Sequence, residues 1–510
     1  MKLLKNNKKV LTNNKINNIM LISKEEIRME LLIGALFLAI WQSILFKNQN
    51  VGLSAILFVL PVLYITFRLL KGKIENKKAL LISIPIILLS ITYFIFDNTV
   101  FKIINMIVIP LLYVIMIITA TSNNQGKSMI FKIILMLIQP INYIGEVVKK
   151  GINLIFPKEK EEGSKEKHNI VKAVFFTIVI ALIVIALLSS ADSEFANLFG
   201  DIFDNLYLFS IPALVKEFFS IIIPFFYFAG FFMNMLDKDN GLKEFDEEEP
   251  KKKDGFTIYM MITALNVIYL LFCFIQIKSL FTIENIKYSS YARQGFFQLM
   301  VVSLINIVMI LKATGKNLKE TQKQTQYKKI ICIMMLIFTL IIIISSFARM
   351  TIYQQNYGNT RLRILVDFTL ITEMILLIPT AMYILKENIN LMKVYFIIVV
   401  SMYCLVNFIN IDYIIAKNNI DRYIETGKID VDYLKRLDNT DTIEQLMRLH
   451  DTKFKYTSDN DYPDRSLVLN NKLDNYLASK RDELNEKHTL AEFNLSRWKA
   501  KKVLEKFRYN

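Results

Sequence analysis

IICIMMLIFTLIIIISSF, residues Ile330–Phe347, contains no Asp, Glu, Lys or Arg. At ~1.5 Å per residue it covers most of a ~30 Å hydrocarbon core, and in water such a run has no polar face to expose. Lysines stand before it at Lys328 and Lys329, and Arg349 stands just after it. That is the punctuation of a membrane span, with cationic ends held at headgroup level. Runs of the same kind recur at Leu31–Phe46, Val51–Phe67, Ala79–Phe96, Val100–Ala120 and Ile170–Ser189. Others follow at Phe218–Leu236, Phe256–Ile277, Gly295–Leu311, Ile364–Leu385 and Leu391–Ile411. The expected fold is therefore all-α, a polytopic transmembrane helical bundle of about 11 spans.

Composition agrees. Of 510 residues 53% are hydrophobic, and the mean hydropathy is +0.36, too apolar for a soluble globule. The net charge of +16 does not indicate nucleic acid, because much of the Lys and Arg flanks apolar runs. Cys273, Cys332 and Cys404 lie inside those runs, where they act as small hydrophobes. His168, His450 and His488 are scattered through polar segments, so the sequence suggests neither a metal site nor a cofactor. Gly126-Lys127-Ser128 is not a phosphate loop, because Thr121 stands where the first glycine is required. No small-residue cleavage site follows the first run, so it is expected to stay attached.

Met129–Phe156 decides the topology. It is apolar, yet it holds Lys132, Pro140, Glu146, Lys149 and Lys150. If it lies flat at the interface, one face collects most of the loop Lys and Arg; if it spans, that bias collapses. On the first reading residues 1–28 are a polar cytoplasmic N-terminus and residues 29–411 the transmembrane domain, with 129–156 interfacial. Residues 412–510 then form a small helical appendage outside, since an odd number of spans separates it from the N-terminus.

The unusual polar residues gather in the outer loops of this topology. They include Ser190-Ala191-Asp192, Tyr291-Ala292-Arg293-Gln294-Gly295-Phe296 and the stretch Arg349–Arg363. The tail contributes Asn419-Ile420-Asp421-Arg422 and Asp430-Val431-Asp432-Tyr433-Leu434. In these stretches the chain resembles the uncharacterised bacterial membrane-protein family of domain of unknown function 4173, itself similar to the 4153 family. The resemblance covers roughly residues 170 to 500, and the first four helices carry no matching motif. It implies a bacterial membrane protein, Gram-positive-like, and supplies no reaction.

Two candidate sites follow. Arg293, Arg349, Arg361 and Arg363, with Asp192 and Glu194 as acidic partners, could bind a phosphate or carboxylate at the outer face. The plainer reading is that they meet lipid headgroups or pair with acids to lock helices. Tyr288, Tyr291, Tyr353 and Tyr357 fit an interfacial aromatic belt. Inside the membrane, Glu373 lies ~14 Å into its span. An ionised carboxylate at that depth costs roughly 2.5–3.5 kcal/mol on insertion scales unless paired, hydrated or protonated. Asp367 is placed to pair with Arg363 one turn earlier. Thr369 is placed to hydrogen-bond Glu373, and Asn266, Gln298 and Asn306 could add polar contacts from other spans. Such a carboxylate suits a proton- or cation-coupled transporter; its rival is a protonated Glu that merely bonds neighbouring helices.

The expectation is a multi-pass plasma-membrane protein of no assigned reaction, more a transporter or flippase-like protein than an enzyme. The alternative is an envelope-associated binding or regulatory protein that recognises an anionic lipid or cell-wall component. Membrane lipids are the expected partners on either reading, and nucleic acid is not.

Overall fold

The computed structural model describes residues 29–47, 50–121, 129–148, 211–236, 253–281, 296–315, 318–319, 321–386, 389–452, 463–486 and 489–507. The expected fifth span and the Asp192, Glu194, Arg293, Tyr288 and Tyr291 positions lie outside the described residues.

The described chain is helical. The helices are α1 (Met29–Leu45), α2 (Leu53–Leu69), α3 (Ser83–Ile95), α4 (Thr99–Thr121), α5 (Met129–Ile138) and α6 (Ile211–Leu236). They continue with α7 (Phe256–Phe281), α8 (Phe296–Ala313), α9 (Gln322–Tyr357), α10 (Arg361–Lys386) and α11 (Leu391–Phe408). The tail forms α12 (Ile411–Thr426), α13 (Val431–Arg436), α14 (Ile443–Thr452), α15 (Pro463–Asn485) and α16 (Leu495–Leu504). Two-residue strands, Lys253–Asp254 and Leu318–Lys319, pair in parallel. Among the described residues, 7 helical segments are long and apolar enough to cross a membrane, and α1, α2 and Phe297–Ala313 are shorter apolar helices. This is an all-α polytopic membrane protein.

Two compact units are distinguished. The first takes in α1, α2, α5 and α6 with residues 83–91 of α3 and 106–121 of α4. Its contacts are close because small residues permit them. A methyl group added at Gly230 of α6 would fall 2.4 Å from the Pro140 carbonyl oxygen, so backbone meets backbone there. Thr66 bonds Tyr113 at 2.6 Å, and the Tyr113 ring stacks on Phe231. In the Met129–Phe156 segment, α5 runs for 10 residues and passes into a 3₁₀ turn at Gln139–Tyr143 around Pro140. Helical structure resumes at residues 144–148.

The second unit takes in Thr92–Asn105, α7 to α15 and Phe493–Asn510. Its centre is α9, which a Thr321–Gln324 capping box starts and which runs 36 residues. At ~54 Å it outlasts the membrane core, so Arg349–Tyr357 is a continuation of the helix and not the loop the sequence suggested. The turn itself is only Gly358–Thr360. Apolar clusters join α7, α8 and α9 around Ile262, Ile310 and Met335, and α8, α9 and α10 around Ile307, Ile343 and Leu370. Val267, Leu270, Leu271 and Phe274 of α7 are exposed, Phe274 by 73%, the face that lipid covers. The tail is continuous with the helix ends: Phe101, Ile364 and Val406 share one core with Ile415, Leu434 and Leu446.

Candidate functional site

Among the described residues of the second unit, buried polar side chains form two main groups. The first is a seam between α7, α8, α9 and α10. Ser303 and Asn306 sit one turn apart on α8, so both point the same way. Ser303 contacts Glu373 of α10, which is 1% exposed. Asn306 donates to Thr339 of α9 at 3.1 Å and accepts from Tyr269 of α7 at 2.7 Å. Asn266 donates to the Ile331 carbonyl at 2.9 Å, tying α7 to α9. Further along α10, Thr380 bonds Tyr395 of α11. Each of these side chains has a partner on another helix, as groups buried within hydrocarbon require, although Asn266 Oδ1 is itself unbonded.

Glu373 is the more deeply buried acid of α10, and like Asn266 and Asp367, each at Oδ1, it has an oxygen left unbonded. Its Oε1 has no hydrogen-bond partner among the described residues, and its Oε2 meets only Ser303. The apolar cluster of Met300, Ile307, Ile343, Met350, Leu370 and Leu377 lies over the same stretch of helix. Local partners expected from the sequence do not reach it. Thr369 donates to the Leu365 carbonyl at 2.9 Å, because a helical threonine hydroxyl finds its own i−4 carbonyl first. Gln298 faces outward and is exposed. Asp367 does not pair with Arg363. It accepts from Gln354 of α9 at 2.5 Å, while Arg363 turns back to the Tyr357 and Gly358 carbonyls and stacks 4.1 Å over the Tyr353 ring.

The second group lies at a junction between helix ends and tail. Arg361, at the start of α10, grips Asp412 of α12 with Nε at 2.6 Å and Nη2 at 2.9 Å, and Nη2 also donates to the Leu437 carbonyl. Asp412 further accepts from Asn98 at 2.6 Å and from Asn439, and its side chain is fully buried. The Arg361 backbone N–H donates to the Tyr433 hydroxyl at 2.8 Å. Asn419 clasps Asn359, accepting its N–H at 2.7 Å and donating to its carbonyl at 2.9 Å. Gly358, at φ +78°, lies so close to Asn419 that an added methyl would meet its Oδ1 at 2.4 Å. Arg422 donates to the Asn356 carbonyl at 2.5 Å. The tail motifs and the Arg349–Arg363 stretch, noticed separately in the sequence, are thus two halves of one interface.

Asp97, in the turn between α3 and α4, completes the junction through Lys102 at 2.6 Å, Thr440 at 3.1 Å and Arg497 at 3.4 Å. Burial pushes its carboxyl up, but the adjacent Lys102 and Arg497 charges outweigh that and hold it below the usual carboxylate range. Asp441 accepts the Asp97 backbone N–H at 2.8 Å. Burial, with Asp97 and Asp412 nearby adding to it against bonds from Ser496 and the Asp97 N–H, raises the Asp441 carboxyl to about 6. A cleft of about 280 Å³ opens beside Asp441, lined also by Tyr413, Glu444, Ser496 and Lys499. A second polar clamp ties α4 to α11: Tyr403 donates to Asn105 at 2.6 Å, and Asn105 to Asn407 at 2.8 Å.

Of the predicted outer-face residues, then, Arg361 is bound by an acid of the chain itself and Arg363 by carbonyls and a ring. Arg349 is also engaged. Sequence reading missed Asp97, Asp412 and Asp441: the first two stand just after an apolar run, a faint signal, and Asp441 lies in a polar stretch of the tail with none. It also missed Ser303, whose i, i+3 spacing to Asn306 was visible.

No curated protein and no solved structure matches the chain. The family described as a domain of unknown function (DUF4153) matches residues 83–449. That is the family given above as similar, not the 4173 family to which the motifs were assigned, and the match takes in the third and fourth spans where no motif was seen. Covering well over half of the sequence, from α3 into α14, it shows that this chain belongs to the DUF4153 family of uncharacterised domains.

Proposed function

We propose that this protein is a transporter or flippase-like protein that uses the seam around Glu373 to pass a solute or lipid component across the membrane. The observation that carries the reading is a carboxyl 1% exposed, near the middle of a membrane-length helix and joined there to a single hydroxyl. Burying such a group costs several kcal/mol when it is ionised and unpaired, an expense a purely structural seam of Asn, Thr and Tyr avoids. Proteoliposomes holding wild type or Glu373→Ala are incubated with a defined pool of inorganic ions, amino acids, sugars and labelled phospholipid, and their contents and leaflet distribution are compared. A component moved by wild type and not by the variant supports the reading. Identical contents and lipid distribution remove it.

The same reading places the protein in a bacterial plasma membrane with the N-terminus inside and the tail outside. Its support is the positive-charge bias of the loops. With Cys273, Cys332 and Cys404 replaced, single cysteines at Ser289, Asn359 and Ser458 are expected to react with an impermeant thiol reagent on whole cells, and one at Ser164 is not. Labelling of Ser164 alone reverses the topology.

A further inference from the structure

Four threonine hydroxyls that bond a carbonyl of their own helix share an arrangement that one proton enforces. Thr66 donates to the Val62 carbonyl at 2.7 Å and also touches Tyr113 at 2.6 Å. Thr263 donates to the Tyr259 carbonyl at 2.7 Å and touches Tyr327 at 2.6 Å. Thr380 donates to the Leu376 carbonyl at 2.6 Å and touches Tyr395. Thr339 donates to the Met335 carbonyl at 2.6 Å and receives the Asn306 amide. A hydroxyl has one hydrogen and two lone pairs. With that hydrogen given to the helix carbonyl, the second neighbour must be a donor. In these four cases it is a phenol or an amide, each of which has a hydrogen to give.

Ser303 repeats the pattern. Its Oγ lies 2.7 Å from the Met300 carbonyl oxygen and in hydrogen-bond contact with Glu373 Oε2. Here the donor's place is held by a carboxyl. An ionised Glu373 would leave one of these two contacts as oxygen facing oxygen with no hydrogen between. We infer that Glu373 is a proton-binding site: Oε2 carries a hydrogen and donates it to Ser303, which donates onward to Met300. The inference rests on the proposed transport reading and names its coupling ion.

The surroundings favour a proton over a metal cation. A cation needs several oxygens around it, whereas the described residues bring one hydroxyl to Glu373. Of the other titratable side chains of the seam, Tyr269 bonds Asn306, Tyr395 bonds Thr380, and Asp367 accepts from Gln354 through Oδ2 while its Oδ1 is unbonded. On α9, Tyr353 lies under the Arg363 guanidinium, and Arg349 is itself engaged. Loss of the proton to water is accommodated by one rotation. The Ser303 hydroxyl turns from Met300 to the carboxylate, and the Met300 carbonyl keeps its helical N–H. The ionised state therefore gives up the Ser303–Met300 bond that the protonated state keeps.

Infrared spectra of the reconstituted protein test this directly. At neutral pH a protonated-carboxyl C=O band, shifted in D2O, is expected in wild type and lost in Glu373→Gln, while Ser303→Ala moves it to higher frequency. Carboxyl-13C glutamate shifts the same band in wild type, which separates it from buried aspartates such as Asp441 and needs no variant to fold. A wild type with no glutamate-derived acid band overturns the inference. The proteoliposome comparison is read separately. If the band is present while wild type and Glu373→Ala have identical contents, Glu373 remains a proton site and the transport reading falls. If contents differ with no band, transport stands and the proton inference is overturned.

Discussion

Asp412 and Glu373 are both buried carboxyls in the second unit, and they are treated in opposite ways. Asp412 is ringed by donors: two guanidinium nitrogens of Arg361 and the amides of Asn98 and Asn439. Among the described residues Glu373 meets one hydroxyl, which also bonds a carbonyl. The contrast separates two reasons for burying an acid. A carboxylate whose lone pairs are filled by charge-assisted bonds holds elements in register. One left with an open oxygen retains the capacity to change its charge state.

The largest expected effect lies at the junction. Arg361→Gln or Asp412→Ala leaves the other charge buried without its partner, an expected loss of about 3–5 kcal/mol. Thermal or denaturant unfolding in detergent reads it. Arg361→Met combined with Asp412→Leu is expected to cost less than either single change, because no orphan charge remains. A double variant as unstable as the sum of the singles would show that the pair is not a unit.

Next in size is a pH effect at Asp441. Its folded value of about 6 lies above its unfolded value of ~4, so the folded state binds the extra proton between them. That contribution is fully present below ~4 and is lost as pH rises through 6, on the order of 2–3 kcal/mol. Asp97 has the opposite sign. Its lowered value gives stability above ~4 that disappears as the solution becomes more acid. Asp441→Asn should flatten the fall in melting temperature from pH 4 to 7, and an unchanged slope would assign the effect elsewhere.

Smaller again is Gly358→Ala. The left-handed φ and the 2.4 Å approach to Asn419 predict a cost of about 1–3 kcal/mol, localised to the loop that the tail clasps. Faster proteolysis of the tail would show the loosening. The smallest expected effect sharpens the other half of the comparison. Glu373→Gln keeps a hydrogen to give Ser303 and should change stability by less than ~0.5 kcal/mol, whereas Glu373→Ala removes the bond at about 1–3 kcal/mol. A Gln variant as damaging as the Ala variant would mean the carboxyl is held ionised.

Much of the architecture was legible in the primary structure because hydrophobic length is a local property. A run such as Ile330–Phe347 needs no partner to declare that it avoids water, and the 7 described segments of membrane length fall on runs read from the sequence. Glu373 was legible for the same reason: a charge inside an apolar run is conspicuous wherever the chain goes. Which donor meets it was not. Thr369, the neighbour in sequence, turned to its own helix, and Ser303, 70 positions away, took the contact. For the arginines the sequence left two readings, an external anion or acids that lock helices; Arg361 meets Asp412 and Arg363 meets carbonyls. Helix period and apolar length were set by the sequence alone, since they follow from backbone geometry and transfer from water. Pairing was decided only by the tertiary structure, because a polar side chain bonds whatever the packing of distant helices brings within about 3 Å.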